Sequence, residues 1–239
     1  MFSGCNNLST FNSDLSSLTD GSEMFYGCNN LTTFNPNDLS SLTKGYWMFH
    51  GCVALETFIF NLRSLVNGNE MFSACDALTS FDSDLSSLEN GNNMFNGCLQ
   101  LGEFSADFGA SVDRKKIDGT GMFYFCTSLT QFNNDLSYFE VGREMFSKCL
   151  SLETFNSNLS SLTDSRYMFY LCTALTDFNA DLFSLIDGTY MFYNCTALTT
   201  FNSDLSSLEN GECMFSGCAL NGDSVLKILT TIPTYEYGS

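Results

Sequence analysis

Ten cysteines recur along the chain at near-constant intervals: Cys5, Cys28, Cys52, Cys75, Cys98, Cys126, Cys149, Cys172, Cys195 and Cys218. Thiols in that number suggest a disulfide framework or a metal array. Their spacing argues against both. In a chain that coils once per 23 residues, each sulfur stands above the last, about 4.7–4.9 Å away if the coils pair as strands. Side chains stacked in parallel point the same way, whereas a disulfide needs converging Cβ vectors. Zinc needs four ligands around one point, not a line. The pattern predicts a ladder of reduced, buried thiols that pack as small apolar groups. Cys213 stands outside the series, just before Met214. It is expected to be partly exposed, with a small disulfide to Cys218 as the alternative.

A second column is acidic: Asp14, Asp38, Asp84, Asp107, Asp135, Asp181 and Asp204, each just before a leucine. Stacked carboxylates repel, and calcium bridging would offset that cost. Local capping by each Asp of its own turn, including the two serines that follow, is the simpler reading. Asn61 and Asn158 fill the position in two units, and Asn caps well but gives a cation no charge. The reading is therefore no metal and no cofactor.

Catalysis finds little support. The single histidine, His50, leaves no base for a repeated nucleophile, and no acid, base and nucleophile stand together. The chain reads as a non-enzyme.

The aromatic residues are the most suggestive surface feature. Tyr26, Tyr124, Tyr170 and Tyr193 follow Met-Phe pairs, while Tyr46 with Trp47, Tyr167 and Tyr190 precede them. Other units carry Ser, Asn, His or Glu there, so the core does not demand rings. Tyr and Trp combine rigid contact area with a polar tip and favour binding surfaces. The expected partner-binding residues are Tyr167, Tyr170, Tyr190 and Tyr193 across adjacent coils, with Tyr46 and Trp47 as an outlying site. The plainer alternative is that they only fill a groove between coils.

These columns exist because the chain repeats. All ten Met residues precede Phe, from Met1-Phe2 to Met214-Phe215, and one unit reads M-F-x-G-C-x-x-L-T-x-F-N-S-D-L-S-S-L-x-x-G-x-x. One unit cannot bury its seven apolar positions alone, but stacked units can. The period is too short for two helices and lies in the 20–29-residue leucine-rich range. Thr and Phe near Thr200-Phe201 favour one short parallel strand per coil. The Asp-Leu-Ser-Ser-Leu stretch reads as a turn or a single 3-10 coil. A near-constant glycine (Gly21, Gly45, Gly68, Gly91, Gly142, Gly188, Gly211) suits a position needing positive φ.

The solenoid of ten coils is expected over residues 1–218, and residues 219–239 as a cap with a short helix over 224–229, capped by Asp or Ser and ended by Pro233. Asn35-Pro36-Asn37-Asp38 adds one residue to a loop. The unit after Gly102 is longer, and its Asp113-Arg114-Lys115-Lys116 reads as a solvated insertion or a contact point for an acidic partner. The first coil, Met1-Phe2-Ser3-Gly4-Cys5, is already core sequence. It predicts either a fragment of a longer array or a coil covered by another chain, including end-to-end self-association.

The string C-x-x-L-x-x-F, a leucine pair and G-x-x-M-F-x-x-C resembles the BspA-like leucine-rich repeat, in its Met-Phe-x-x-Cys variant. The resemblance implies a solenoid without enzymatic activity. Its members are typically surface or secreted proteins of bacteria, some protists and some phages, linked to adhesion, and they share no catalytic or binding residues to carry over. The expected function is a recognition or adhesion module, extracellular, at a cell surface or on a virion, with a protein or glycan ligand of open identity. The alternative is a structural subunit that stacks into a filament or appendage. A family surface protein would begin with a signal peptide, whereas this chain begins inside a repeat. With 27 acidic against nine basic residues and a formal charge of −18, nucleic acid is a poor partner. No apolar run is long enough for membrane insertion.

Overall fold

The computed structural model describes residues 1–109 and 116–233. Asp113, Arg114 and Lys115 of the basic insertion lie outside those residues. The chain winds as a stack of short segments whose strands pair in parallel from coil to coil. Its strands are β1 (Thr10–Phe11), β2 (Thr33–Phe34), β3 (Thr57–Phe58), β4 (Ser80–Asp84), β5 (Glu103–Asp107), β6 (Ile117–Asp118), β7 (Gln131–Phe132), β8 (Phe139–Val141), β9 (Thr154–Phe155), β10 (Asp177–Phe178) and β11 (Thr200–Phe201). Among the described residues one helix, α1 (Gly222–Thr231), closes the series. Every strand pairing is parallel, with Thr on Thr and Phe on Phe where the repeat is regular, as in Thr10↔Thr33 and Phe11↔Phe34. The expected column of strands is broken into short sheets. One break follows Pro36, which cannot donate to a ladder, and another lies at the longer unit after β5.

The Met-Phe segments satisfy their backbone by alternation. Around Met168, the N–H groups of Ser165, Tyr167, Phe169 and Leu171 donate to Asp187, Thr189, Met191 and Tyr193 of the next coil. The N–H groups between them, of Met168, Tyr170 and Cys172, fold back on Ser165, Tyr167 and Phe169. These backbone N–H groups thus have partners without a long strand or helix. The alternation requires left-handed backbone just before each Met, so Trp47, Tyr167, Tyr190 and Cys213 have φ between 52° and 57°.

Two columns of phenylalanine run through the core beside the buried Met, Cys and Leu columns. Phe25, Phe49, Phe72 and Phe95 follow the methionines and stack with centroids 5.4–5.5 Å apart. The strand column, including Phe34, Phe58 and Phe81, meets the first edge-on, as Phe34 does Phe49 at 4.7 Å. Both geometries are the favoured ones for aromatic pairs.

The repeated glycine is not a positive-φ position: that conformation falls two residues on, and at the residue three after each Met. The glycine is required for room. A Cβ on Gly45 would meet the Met71 sulfur at 2.7 Å, and one on Gly21 the Met48 sulfur at 2.8 Å.

The helix begins two residues earlier than its sequence suggests, and its cap is Asn221, whose side chain accepts from the Ser224 N–H at 2.9 Å. Ser224 is buried and takes the place of a further strand: its hydroxyl accepts from the Phe201 N–H at 2.9 Å and donates to the Thr199 carbonyl. Ile228 and Ile232 pack on the last coil, while Leu226 and Leu229 remain exposed.

Candidate functional site

The four predicted tyrosines form one assembly. Tyr167 and Tyr170 lie on one turn, joined by the Tyr170 N–H donating to the Tyr167 carbonyl at 3.1 Å, which puts both side chains on one face. The one-coil register then lays Tyr190 on Tyr167, 5.0 Å between centroids and 2° from parallel, and Tyr193 on Tyr170 at 5.4 Å and 11°. An edge contact between Tyr167 and Tyr170 (5.7 Å) and a tilted one between Tyr190 and Tyr193 (5.3 Å) close the quartet. Tyr167 is exposed and the other three are half-buried. A bulky side chain in left-handed backbone is costly, so Tyr167 and Tyr190 are held there by the ladder. The Tyr190 phenol is raised above its ordinary pKa, chiefly by its contact with the Cys213 thiol.

Beside the quartet stand basic residues that the sequence reading passed over. Arg143, Lys148 and Arg166 are three of the nine cations in the chain, and their positions in the repeat, not any local motif, were the available signal. Arg143 and Arg166 both grip Asp164, at 2.6 and 2.9 Å, and Arg166 approaches Asp187 at 3.7 Å. Burial would raise the Asp164 carboxyl, but the two guanidiniums outweigh it and hold the pKa below its usual value. Lys148 donates to the Tyr124 hydroxyl at 2.5 Å, which raises the ammonium pKa. This face is therefore close to neutral on a strongly acidic chain.

Tyr46 and Trp47 are brought together elsewhere on the same columns, stacked at 4.6 Å. They gather two neighbours that the sequence reading did not assign: Tyr26, stacked on the His50 ring at 5.1 Å, and His50, which faces Glu70 at 3.5 Å.

The repeat also governs the comparisons with known proteins. A family model for the BspA-type leucine-rich repeat region matches residues 1–114 and again residues 115–238. The chain belongs to that family. No curated protein matches it in sequence. Three solved structures are similar at low identity. A leucine-rich repeat protein from T. pallidum is 18% identical, over 76% of this chain and 78% of that one, with a TM-score of 0.48. One from Bacteroides ovatus is 20% identical, over 87% and 76%, with a TM-score of 0.35. An internalin from Listeria monocytogenes is 12% identical, over 90% and 67%, with a TM-score of 0.41.

In this BspA-type solenoid the cysteine column bonds to the backbone. The Cys75 sulfur donates to the Phe49 carbonyl and the Cys172 sulfur to the Phe146 carbonyl, at 3.2 and 3.1 Å, and the other coils repeat the contact. Cys28, Cys52, Cys75, Cys98, Cys126, Cys149, Cys172 and Cys195 are buried and free. The expectation of ten buried thiols fails at the ends: Cys5 is exposed and Cys218 half-buried, because each lacks a flanking coil on one side. Cys213 is free and exposed, so the alternative disulfide to Cys218 is not formed.

The Asp column caps its turns, but reaches only the first serine: the Ser16 N–H donates to Asp14 at 2.9 Å and the Ser86 N–H to Asp84 at 2.8 Å. Asn61 and Asn158 accept in the same way. These hydrogen bonds pull the Asp14 and Asp38 carboxyls below their ordinary range. Among the described residues no three His, Cys, Asp or Glu side chains gather as a metal site. No helix there is long and apolar enough to cross a membrane.

Proposed function

We propose that this leucine-rich repeat chain is a non-enzymatic recognition module that binds a protein or glycan partner through the face carrying Tyr167, Tyr170, Tyr190 and Tyr193. The observation that carries the reading is the quartet itself. Four rings that the core does not require are held in register on one surface, and a repeat solenoid presents such a surface as one continuous wall. Tyr46 and Trp47 form an outlying site on the same wall. Display outside a cell or on a virion, in an adhesive role, fits the family and the acidic surface.

Aromatic anchors at the centre of an interface commonly contribute about 2 kcal/mol each, roughly a 30-fold loss when truncated. Glycan and host-protein binding is measured for the wild type beside a Tyr167→Ala, Tyr190→Ala double variant. Loss of binding with an unchanged melting temperature supports the reading, and equal binding reduces the rings to groove filling. The competing reading, a subunit that stacks end to end, predicts open-ended assembly in gel filtration as concentration rises.

A further inference from the structure

The aromatic column after the methionines has a missing rung. Its successive members are Tyr124, Ser147, Tyr170 and Tyr193. Tyr170 and Tyr193, on adjacent coils, stack at 5.4 Å, but Tyr124 and Tyr170 lie two coils apart with buried Ser147 between them. The phenylalanines next to these residues step by 5.2 and 5.5 Å over the same two coils. The gap between the outer tyrosines is therefore about 11 Å, wider than the roughly 7–8 Å that a flat ring in van der Waals contact on both sides needs, which leaves room for a puckered one. An open slot does lie here, lined by Tyr124, Glu144, Ser147, Lys148, Tyr167 and Tyr170.

Its chemistry narrows what fits. The walls are tyrosine rings, suited to the apolar C–H face of a sugar or to another aromatic ring. The Lys148 ammonium lies against the Tyr124 wall, 5.0 Å from the ring centroid and hydrogen-bonded to its hydroxyl, with its remaining N–H groups as donors. The exposed Glu144 carboxylate, which makes no hydrogen bond or ion pair among the described residues, is an acceptor. An inserted phenylalanine ring would cover these two charges and offer them no hydrogen bond. A pyranose ring presents hydroxyls to both. The ammonium and the carboxylate cancel, so no excess charge calls for an anionic sugar.

We infer that the vacant rung over Ser147 is a subsite for one uncharged pyranose residue of a glycan, held between Tyr124 and Tyr170 with its hydroxyls on Glu144 and Lys148. This deepens the proposed recognition role and rests on it.

The test is an array of immobilised uncharged hexose- and N-acetylhexosamine-terminated oligosaccharides with sialylated ones beside them, probed with the wild type, Ser147→Tyr and Glu144→Gln. Ser147→Tyr fills the rung with the residue that Tyr26, Tyr124, Tyr170 and Tyr193 already carry in other coils. Glu144 is exposed, so Glu144→Gln leaves the core intact and keeps the test valid if the first variant misfolds. The expected result is wild-type binding to uncharged glycans, insensitive to salt, with a loss of about tenfold or more in either variant. The inference is overturned if the wild type binds no uncharged glycan, or if both variants bind as well as it does. A protein partner lost with Tyr167→Ala, Tyr190→Ala but kept by Ser147→Tyr would leave the recognition role standing and remove the subsite.

Discussion

The hydroxyl of Ser165 lies 3.1 Å from the sulfur of Met191 in the next coil. Ser165 occupies the place that glycine holds in the other coils, and the contact displays the crowding that makes glycine the rule. At Gly45 the Met71 sulfur would stand 2.7 Å from an added Cβ.

Gly45→Ala should therefore destabilise the protein by about 1–3 kcal/mol through overpacking. Ser165→Ala, which keeps a Cβ that the coil already accommodates, should cost less than about 1.5 kcal/mol, the value of a hydrogen bond. Urea midpoints of the two variants check the order, and equal losses would contradict the crowding argument.

Thiol accessibility follows the coil position. In native protein, a thiol reagent should modify Cys5 and Cys213 quickly, Cys218 slowly, and the eight buried cysteines only after denaturation. All 11 should then react. A shortfall in denaturant without reductant would reveal disulfides.

Alkali should unfold the solenoid. Burial pushes Cys52 and Cys149 up to about 12, and Cys75, Cys126 and Cys172 well above their ordinary value. In the unfolded chain these thiols ionise near pH 9, so above that pH the folded state binds more protons than the unfolded one. Stability is then full below about pH 9 and falls as pH rises, by about 1.4 kcal/mol per pH unit for each such thiol up to its folded pKa. Melting temperatures across this window give the test, and a flat profile to about pH 11 would show that the thiols are not sealed.

Ser224→Ala should loosen the cap. It leaves the Phe201 N–H without its buried acceptor, a loss of about 1–3 kcal/mol. Hydrogen exchange at Phe201 should rise while exchange at Phe81, deep in the stack, stays unchanged.

Capping by the Asp column predicts indifference to metal. Asp84→Asn should be near neutral, as Asn61 and Asn158 already cap, while Asp84→Ala should cost about 0.5–1.5 kcal/mol. Calcium or a chelator should leave the melting temperature unchanged, and a rise with calcium would instead point to bridged carboxylates.

Periodicity made the solenoid legible, because ten concordant units fix which residues face inward regardless of any one unit's preference. It placed Thr200 and Phe201 in a strand and put the four tyrosines on neighbouring coils. It misread what is set between coils. The glycine column answers to a methionine 26 residues on, a contact invisible within one unit. The thiols answer to the carbonyls of the preceding coil, and the helix cap fell to Asn221 because Ser224 was needed at the sheet edge. The slot over Ser147 is likewise an absence between two distant tyrosines. Local residue types determined the units, and stacking alone decided which atoms of one unit meet those of the next.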